Sequence, residues 1–308
     1  MADASPKRKR PSDGESHSDE HRHIENGADR DLPFVAADPA RAKTLSADEV
    51  ERYNREGYLS PLDVFDPEEA DGWRGYFDTL IQDVLDADDG RNGYSINGYH
   101  ISNKGLWDLA TTPRILDLVE DILGPDVVLW STHLFAKLPG NPMEVPLHQD
   151  GVYWPFTSTK TVTVWLAIDD VDAGNGAMVF VPGSHRLGPL PYEELALDGT
   201  RVLGRQTQDA DQYTNRVLNT LRAGQASLHS DLLLHGSAAN TSQRRRAGLT
   251  LRYAAAGARM EEGWDLWKRG AVHVRGASDP WWPDVARPNG EDTHRFATYR
   301  GNFDGVPA

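Results

Sequence analysis

Hydrophobic positions recur at helical spacing in three segments of the first half of the chain. Ser46 precedes the first of these segments, and Glu49 three residues later can complete a capping box with it. The second segment opens with Asp66-Pro67, which places proline at the first helical position. The three helices are predicted over residues 46–57, 66–85 and 113–124. We expect them to form a helical scaffold, spanning residues 46–124, on one face of a sheet.

The hydrophobic pattern changes to a period of two after residue 126, which is typical of β-strands. Strands are predicted over residues 127–135, 160–168, 178–181, 225–235 and 248–253. Turn signals, such as those at residues 172–176, separate these short strands, and this arrangement favours a sandwich or barrel. The predicted fold class is therefore mainly β with flanking helices, and its core over residues 126–254 fits a cupin-like jelly roll.

Polar composition sets the two ends of the chain apart from this core. Residues 1–36 contain almost no large apolar side chains, so we predict a disordered polar tail. Residues 37–308 are expected to form a single domain, because the chain of 308 residues is long enough to bury a sizeable core. Its C-terminal extension, residues 255–308, is rich in loop residues and tryptophan.

Composition and charge exclude several classes of function. The chain has no cysteine, which excludes disulfides, iron–sulfur clusters and thiol nucleophiles. Its formal net charge of −15 disfavours nucleic-acid binding. No apolar run approaches the length of a membrane span or of the core of a secretory signal, so we expect a cytoplasmic protein without a membrane partner.

Two histidines and one carboxylate stand in a pattern that suits a metal ion. His148 and Asp150 form one His-x-Asp motif, and His235 follows later in the chain. A facial arrangement of these residue types holds iron in non-haem oxygenases and leaves coordination positions open. His229 and Asp231 form a competing motif that would share one face with His235 on a continuous strand. Spacing alone leaves both sets open.

Several further motifs resemble the phytanoyl-CoA dioxygenase family of Fe(II)- and 2-oxoglutarate-dependent oxygenases. The resemblance covers most of the chain after residue 45 and rests on linked motifs in one order. These are His148-Gln149-Asp150-Gly151-Val152-Tyr153-Trp154, Thr163-Val164-Trp165-Leu166-Ala167-Ile168-Asp169-Asp170, Gly174-Asn175-Gly176-Ala177-Met178, Pro182-Gly183-Ser184-His185-Arg186, His235-Gly236-Ser237 and Asn240-Thr241-Ser242. The resemblance implies a double-stranded β-helix, which agrees with the predicted strands.

The resemblance also implies roles for individual residues. His148, Asp150 and His235 match the iron ligands, which makes them the expected catalytic and metal residues. Arg246 matches the arginine that binds the far carboxylate of 2-oxoglutarate, with Arg244 as the alternative. Further cosubstrate contacts are expected from three residues: Ser237, Thr163 and Lys137. The implied cofactors are Fe(II), 2-oxoglutarate and O2, and the implied reaction releases succinate and CO2 while a substrate carbon is oxidised. Since halogenating relatives lack the carboxylate, Asp150 favours hydroxylation, desaturation or a related oxidation.

The sequence does not identify the substrate. Four aromatic residues are candidates for its binding: Tyr153, Trp154, Phe156 and Trp165. We expect a small molecule, such as a secondary metabolite or an amino-acid-like compound, and either a monomer or a homodimer. Two alternatives stay open: a jelly-roll binding protein without catalysis, and a cupin-like metal enzyme that uses no 2-oxoglutarate.

Overall fold

Two β-sheets face each other across a cavity, and helices cover the outer face of the larger sheet. The computed structural model describes residues 30–196, 198–263, 265–290 and 292. The predictions for residues 1–29, and for the part of the C-terminal extension after residue 290 apart from residue 292, lie outside the described residues. Within the described residues, no helix is both long enough and apolar enough to cross a membrane.

The three predicted helices are confirmed. The helices are α1 (Ala47–Glu56), α2 (Pro67–Asp86), α3 (Lys104–Ala110), α4 (Pro113–Leu123) and α5 (Asp265–Arg269). Ser46 and Glu49 form the expected capping box at the start of α1, and Asp66 forms a second box with Glu69 at α2. The sequence pattern did not predict the short helices α3 and α5.

Twelve strands occur among the described residues. They are β1 (Tyr58–Asp63), β2 (Val127–Lys137), β3 (Val145–His148), β4 (Thr161–Ala167), β5 (Met178–Phe180), β6 (Tyr192–Glu194), β7 (Arg205–Thr207), β8 (Val217–Asn219), β9 (Gln225–His229), β10 (His235–Ser237), β11 (Arg246–Ala255) and β12 (Val272–Arg275). The larger sheet has the order β1-β9-β4-β11-β2-β12, and the smaller sheet has the order β3-β10-β5-β8. Strands β6 and β7 form a separate hairpin. The jelly-roll fold class is thus confirmed.

The prediction of one continuous strand over residues 225–235 is wrong. The chain leaves β9 after His229 and turns before it enters β10 at His235, so the two strands belong to different sheets. Within this turn, the backbone N–H of Leu233 donates to the carbonyl of Ser230. The turn moves His235 to the opposite wall of the cavity from His229.

Strand β11 is buried on both faces, one against the helices and one against the cavity. Leu249, Leu251 and Tyr253 face the helices and belong to the main hydrophobic core. The alternate positions Arg246, Thr250 and Arg252 line the cavity between the sheets, as expected from the period of two. The polar face of β11 therefore points at the site, and its apolar face anchors the sheet to the scaffold.

Segments from both ends of the described chain add to this core. Leu32 is buried, and Val35 donates from its backbone to the hydroxyl of Thr159, so the tail boundary predicted at residue 36 falls inside a packed segment. In the extension, β12 pairs with the edge of β2. The Trp282 indole donates to the carbonyl of Ala256.

Candidate metal and cosubstrate site

Three predicted ligands come together at the junction of two strands of the smaller sheet. His148 ends β3, and its cross-strand partner is His235 at the start of β10. Asp150 lies in the short 3-10 turn that follows β3. One ligand atom from each of the three residues lies within 4.8 Å of the others, and all three side chains are buried. Metal–ligand bonds of about 2 Å would allow one ion to contact all three.

The backbone fixes which nitrogen each histidine presents to the cavity. Nδ1 of His148 lies 2.8 Å from the carbonyl oxygen of Pro146, and Nδ1 of His235 lies 3.0 Å from that of Leu233. A carbonyl can only accept a hydrogen bond, so both Nδ1 atoms carry the proton in these contacts. The Nε2 lone pairs are therefore left for a metal, as in metal sites with oriented imidazoles.

Asp150 is anionic despite its burial. Burial acts to raise the pKa of Asp150, but the imidazoles of His148 and His229 and the positive charge of Arg252 hold that pKa well below its ordinary value. Nε2 of His148 is 3.6 Å from one carboxylate oxygen, and Nε2 of His229 is 3.9 Å from the other. For His235, burial first and the neighbouring His148 second keep the pKa well below the ordinary histidine value. The cluster thus offers two imidazoles and one carboxylate.

The competing motif does not supply the ligands of this cluster. His229 faces it from the larger sheet, but the metal-compatible group found among the described residues is formed by His148, Asp150 and His235. Asp231 accepts a backbone hydrogen bond from Gly151 through its own carbonyl. Burial raises the pKa of the Asp231 carboxyl to about 7. Asp231 therefore supports the turn that carries Asp150.

A second group of predicted residues forms a buried cationic corner beside the cavity. Lys137 and Arg246 are direct cross-strand partners on β2 and β11. Nζ of Lys137 donates to the Ser237 hydroxyl at 2.9 Å, and the Arg246 guanidinium donates to the carbonyl of Gly176 at 2.7 and 3.1 Å. Burial, followed by the adjacent Arg246 charge, lowers the pKa of Lys137 to about 6. Burial lowers the pKa of Arg246 to about 10.

No carboxylate among the described residues forms an ion pair with Lys137 or Arg246. A dicarboxylate such as 2-oxoglutarate supplies the anion that this corner lacks, and a guanidinium suits a carboxylate because it donates two parallel bonds. Glycine is required at residue 176 for a local reason. The backbone there has φ of +81°, and a Cβ would lie 2.7 Å from the carbonyl oxygen of Ala238.

The structure distinguishes Arg246 from its neighbours and separates Thr163 from the cationic corner. Arg244 forms an exposed ion pair with Asp172, outside the cavity. Arg245 pairs with carboxylates next to the helices. Thr163 is the cross-strand partner of Arg252, six residues along β11 from Arg246. Arg246 is therefore the arginine of the cluster that faces the site, whereas Thr163 lies at another level of the sheet.

A cavity opens beside the three ligands. Three of the four predicted aromatic residues line it: Tyr153, Trp154 and Trp165. Phe156 does not line the cavity and packs instead against Trp130 and Trp282 in a separate hydrophobic cluster. The indole of Trp165 covers the backbone of Gly248, where an added Cβ would approach the ring to 1.8 Å.

Several residues of the cavity wall were not predicted from the sequence. These are His133, Phe135, Val145, Met178, Val202, Leu203, Gly236, Thr250 and Arg252. His229 also lines the cavity and was named only in the competing motif. Strand alternation could have identified His133 and Phe135, which precede Lys137 at intervals of two, and likewise Thr250 and Arg252 after Arg246. Val202 and Leu203 come from a loop, where the sequence carries no periodic signal.

Arg30 is a further contributor that no pattern indicated. Its guanidinium donates to the carbonyls of Gly151 at 3.2 Å, Trp154 at 2.7 Å and Phe156. It also pairs with Glu261 at 3.2 Å. Arg30 thereby ties together both ends of the loop that begins with Asp150.

Comparisons with known proteins agree with this geometry. The family model described as phytanoyl-CoA dioxygenase (PhyH) matches residues 53–248. The peroxisomal phytanoyl-CoA dioxygenase of Bos taurus is 34% identical over 157 residues, which cover 49% of this chain and 46% of that protein. The chain thus spans about half the length of this relative.

Solved structures share the fold over most of the chain. The apo form of the non-haem monooxygenase ThoJ matches with a TM-score of 0.66 and 27% identity, covering 79% of this chain and 88% of that chain. The epimerase SnoN, solved with Fe3+, alpha ketoglutarate and nogalamycin RO, matches with a TM-score of 0.57 and 24% identity, covering 80% and 96%. The second likeness shows the fold alone.

Proposed function

Since the chain belongs to the phytanoyl-CoA dioxygenase family, we propose that it is an Fe(II)- and 2-oxoglutarate-dependent dioxygenase that oxidises a small-molecule substrate. The observation that carries this proposal is the convergence of His148, Asp150 and His235 within 4.8 Å of one another beside a cavity. A secondary metabolite or amino-acid-like substrate and a cytoplasmic location are part of the proposal.

In the proposed site, His148, Asp150 and His235 hold Fe(II). When bound, the iron with 2-oxoglutarate and O2 supplies the oxidising chemistry, in which one oxygen atom enters succinate as CO2 leaves and the other serves to oxidise the substrate. The two imidazoles bind as neutral donors through Nε2, and Asp150 contributes one negative charge. Because Asp150 occupies the carboxylate position, we infer hydroxylation, desaturation or a related oxidation.

The cationic corner is proposed to bind the distal carboxylate of 2-oxoglutarate. Arg246 orients the carboxylate with its planar guanidinium, and the Ser237 hydroxyl adds a neutral donor. Lys137, uncharged when its pKa is about 6, would take up a proton as the dianion arrives. Tyr153, Trp154 and Trp165 form apolar walls that exclude water from the substrate side of the cavity.

Binding of the metal and binding of the cosubstrate test the proposal separately. Under nitrogen, the protein is titrated with Fe(II) and then with 2-oxoglutarate by calorimetry, and succinate is measured after oxygen is admitted. We expect both to bind and succinate to form in the wild type. We expect no 2-oxoglutarate binding in Arg246→Met and wild-type binding in Arg244→Met, because Arg244 pairs with Asp172 at the surface.

The same experiment distinguishes the alternatives. Failure of Fe(II) to bind would favour a non-catalytic jelly-roll protein. Fe(II) binding without 2-oxoglutarate binding would favour a metal enzyme of the cupin kind. Either result contradicts the proposed function.

A further inference from the structure

His229 lines the cavity beside the candidate metal site and comes from the larger sheet. It ends β9, where its cross-strand partners are Tyr58 on β1 and Thr163 on β4. The centroid of its ring lies 4.9 Å from that of the His235 ring and 5.5 Å from that of the Phe180 ring. Both of these rings belong to the smaller sheet. The His229 imidazole is thus packed against the opposite wall and is only 1% exposed.

The ring nitrogens of His229 are not used by the fold. Within the described part of the chain, neither Nδ1 nor Nε2 of this ring has a hydrogen-bond partner. Buried polar atoms without partners are uncommon, because each one costs free energy. Every other described histidine has at least one ring nitrogen within hydrogen-bond distance of an oxygen: His100, His133, His148, His185, His235 and His273. His229 therefore keeps its hydrogen-bonding capacity for the site that it faces.

The carboxylate of Asp150 has one oxygen near each of two imidazoles. Nε2 of His148 is 3.6 Å from Oδ1 of Asp150, and Nε2 of His229 is 3.9 Å from Oδ2. The distance to Oδ2 is too long for a hydrogen bond, and a shift of about 1 Å would bring it to the usual ~2.9 Å. Hydrogen bonds at active sites often tighten in this way when ligands bind.

The two oxygens of Asp150 also differ in their relation to the candidate ligands. Oδ1 lies on the side of His148, and the ligand atoms of His148, Asp150 and His235 lie within 4.8 Å of one another. His229 does not join this group of ligand atoms. Oδ2 is therefore close to a side chain that is suited to donate a hydrogen bond and is not a candidate ligand.

The number of oxygens that Asp150 gives to the ion decides how many coordination positions stay open. Carboxylates bind metals through one oxygen or through two. An octahedral ion with three protein donor atoms keeps about three positions open, and a second oxygen from Asp150 would reduce them to about two. The larger number is needed here, because an oxo-acid that chelates the ion takes two positions and O2 needs another.

We propose that His229 is a positioning residue that donates a hydrogen bond from Nε2 to Oδ2 of Asp150, so that Asp150 holds the metal through Oδ1 alone. This inference rests on the proposed function and adds one residue to that same site. An imidazole with its proton on Nε2 can donate in either charge state of the ring. His133 also lines the cavity but is not suited to this role, because its Nε2 lies 2.6 Å from the carbonyl oxygen of Tyr94.

Water bound to Mn(II) gives a test that does not depend on activity. Mn(II) is paramagnetic and accepts the same nitrogen and oxygen ligands, so it stands in for Fe(II) and speeds the relaxation of protons in the water molecules bound to it. His229→Phe keeps a ring of similar size without a donor. In this variant the second oxygen of Asp150 should replace one of three waters, so the relaxation enhancement should fall by about one third. The affinity for Mn(II), measured against a competing chelator, should not fall.

The affinity for 2-oxoglutarate gives an independent test. The cosubstrate is titrated by calorimetry under nitrogen into the protein loaded with Fe(II). We expect His229→Phe to bind it about tenfold more weakly than the wild type, because Asp150 must first release the position that its second oxygen occupies and the hydrogen bond that favours its release is missing. His229→Leu, a second apolar variant, should behave in the same way.

Two further variants separate positioning from folding. His229→Gln places an amide N–H near the position of Nε2, so it should recover most of the lost affinity and of the relaxation enhancement. His185→Phe is the matched control, since His185 is also fully buried but bonds to the carbonyl oxygen of Asn54 outside the cavity. It should leave both measurements unchanged. Thermal unfolding of each variant shows whether it is folded.

The outcomes distinguish this inference from the proposed function. If the apolar variants match the wild type in both measurements, the positioning role is wrong and the proposed function stands. A loss of Mn(II) affinity in the apolar variants and in His229→Gln alike, without a change in bound water, also overturns the role, because His229 would then only support the fold. If the wild type binds metal but no 2-oxoglutarate, the proposed function fails and the water measurement alone decides the inference. Failure of the wild type to bind any of these ions overturns both.

Discussion

Lys137→Met is expected to stabilise the metal-free protein and to weaken its binding of 2-oxoglutarate. Lys137 is completely buried beside Arg246, and methionine fills a similar volume without a charge. In the unfolded chain this lysine has an ordinary pKa, 10.5, but in the folded protein its pKa is about 6. Folding at neutral pH must therefore remove a proton from it, which costs free energy.

The magnitude follows from the pKa difference. A pH of about 7.5 is about three units below the pKa that Lys137 has in the unfolded chain. At ~1.36 kcal/mol per unit, removing the proton on folding costs at most about 4 kcal/mol. The variant also loses the hydrogen bonds to Ser237 and Ala238, together worth about 2 kcal/mol. The net gain is about 2 kcal/mol, which corresponds to an increase in Tm of about 4–8 °C for a domain of this size.

The pH dependence has a definite sign. The folded state binds fewer protons than the unfolded state between pH 6 and pH 10.5, so the stability of the wild type rises with pH in this interval. The penalty is fully present below pH 6 and disappears as the pH approaches 10.5. The Tm difference between Lys137→Met and wild type should therefore narrow from about pH 6.5 to about pH 9.

Thermal unfolding across this pH range checks the expected stabilisation of Lys137→Met. Calorimetric titration with 2-oxoglutarate checks the expected loss of cosubstrate affinity. Loss of a charge-assisted bond is expected to reduce 2-oxoglutarate affinity by about tenfold to a hundredfold. The exposed Lys160 provides the control variant Lys160→Met, which should change neither quantity. A lower Tm together with unchanged cosubstrate affinity would refute the reasoning, because Lys137 would then be a structural residue only.

Three further variants test other parts of the structure. Arg30→Ala removes the contacts that hold the loop after Asp150. Its affinity for Fe(II), measured against a competing chelator, should fall by about tenfold. An unchanged affinity would contradict a role for Arg30 in positioning Asp150. Asp231→Asn should raise the free energy of unfolding at pH 8 by up to about 4 kcal/mol. Burial raises the folded-state pKa of Asp231 from 3.8 to about 7, so wild-type stability falls as pH rises between these values. If Asp231→Asn were still more stable than the wild type at pH 4, ionisation of Asp231 would be excluded as the cause. His235→Ala should abolish stoichiometric Fe(II) binding whereas His273→Ala should not, and the reverse result would remove His235 from the site.

The long strands could be predicted from the sequence because their two faces meet different environments. On β11 the apolar positions Leu249 and Leu251 alternate with Thr250 and Arg252, and this alternation is visible without a structure. The turn between β9 and β10 could not be predicted in the same way. Leu232, Leu233 and Leu234 are all fully buried, so the turn has the composition of a strand interior.

The candidate metal ligands could be named from their motif, but their surroundings could not. The contact between Arg30 and Gly151 joins residues 121 positions apart, and the local pattern around Arg30 is that of a polar tail. The pairing of Thr163 with Arg252 and with His229 depends on strand register, which individual strand patterns do not specify. Thr163 was predicted to contact the cosubstrate, and only the register shows that it lies level with Arg252 and not with Arg246.

Strand β11 gives the cationic corner a fixed place relative to the helical scaffold. Arg246 faces the cavity, and Leu249 and Leu251 on the opposite face of the same strand belong to the main hydrophobic core. Because β2 and β4 pair along both sides of β11, strand pairing and not a loop conformation sets the position of Arg246.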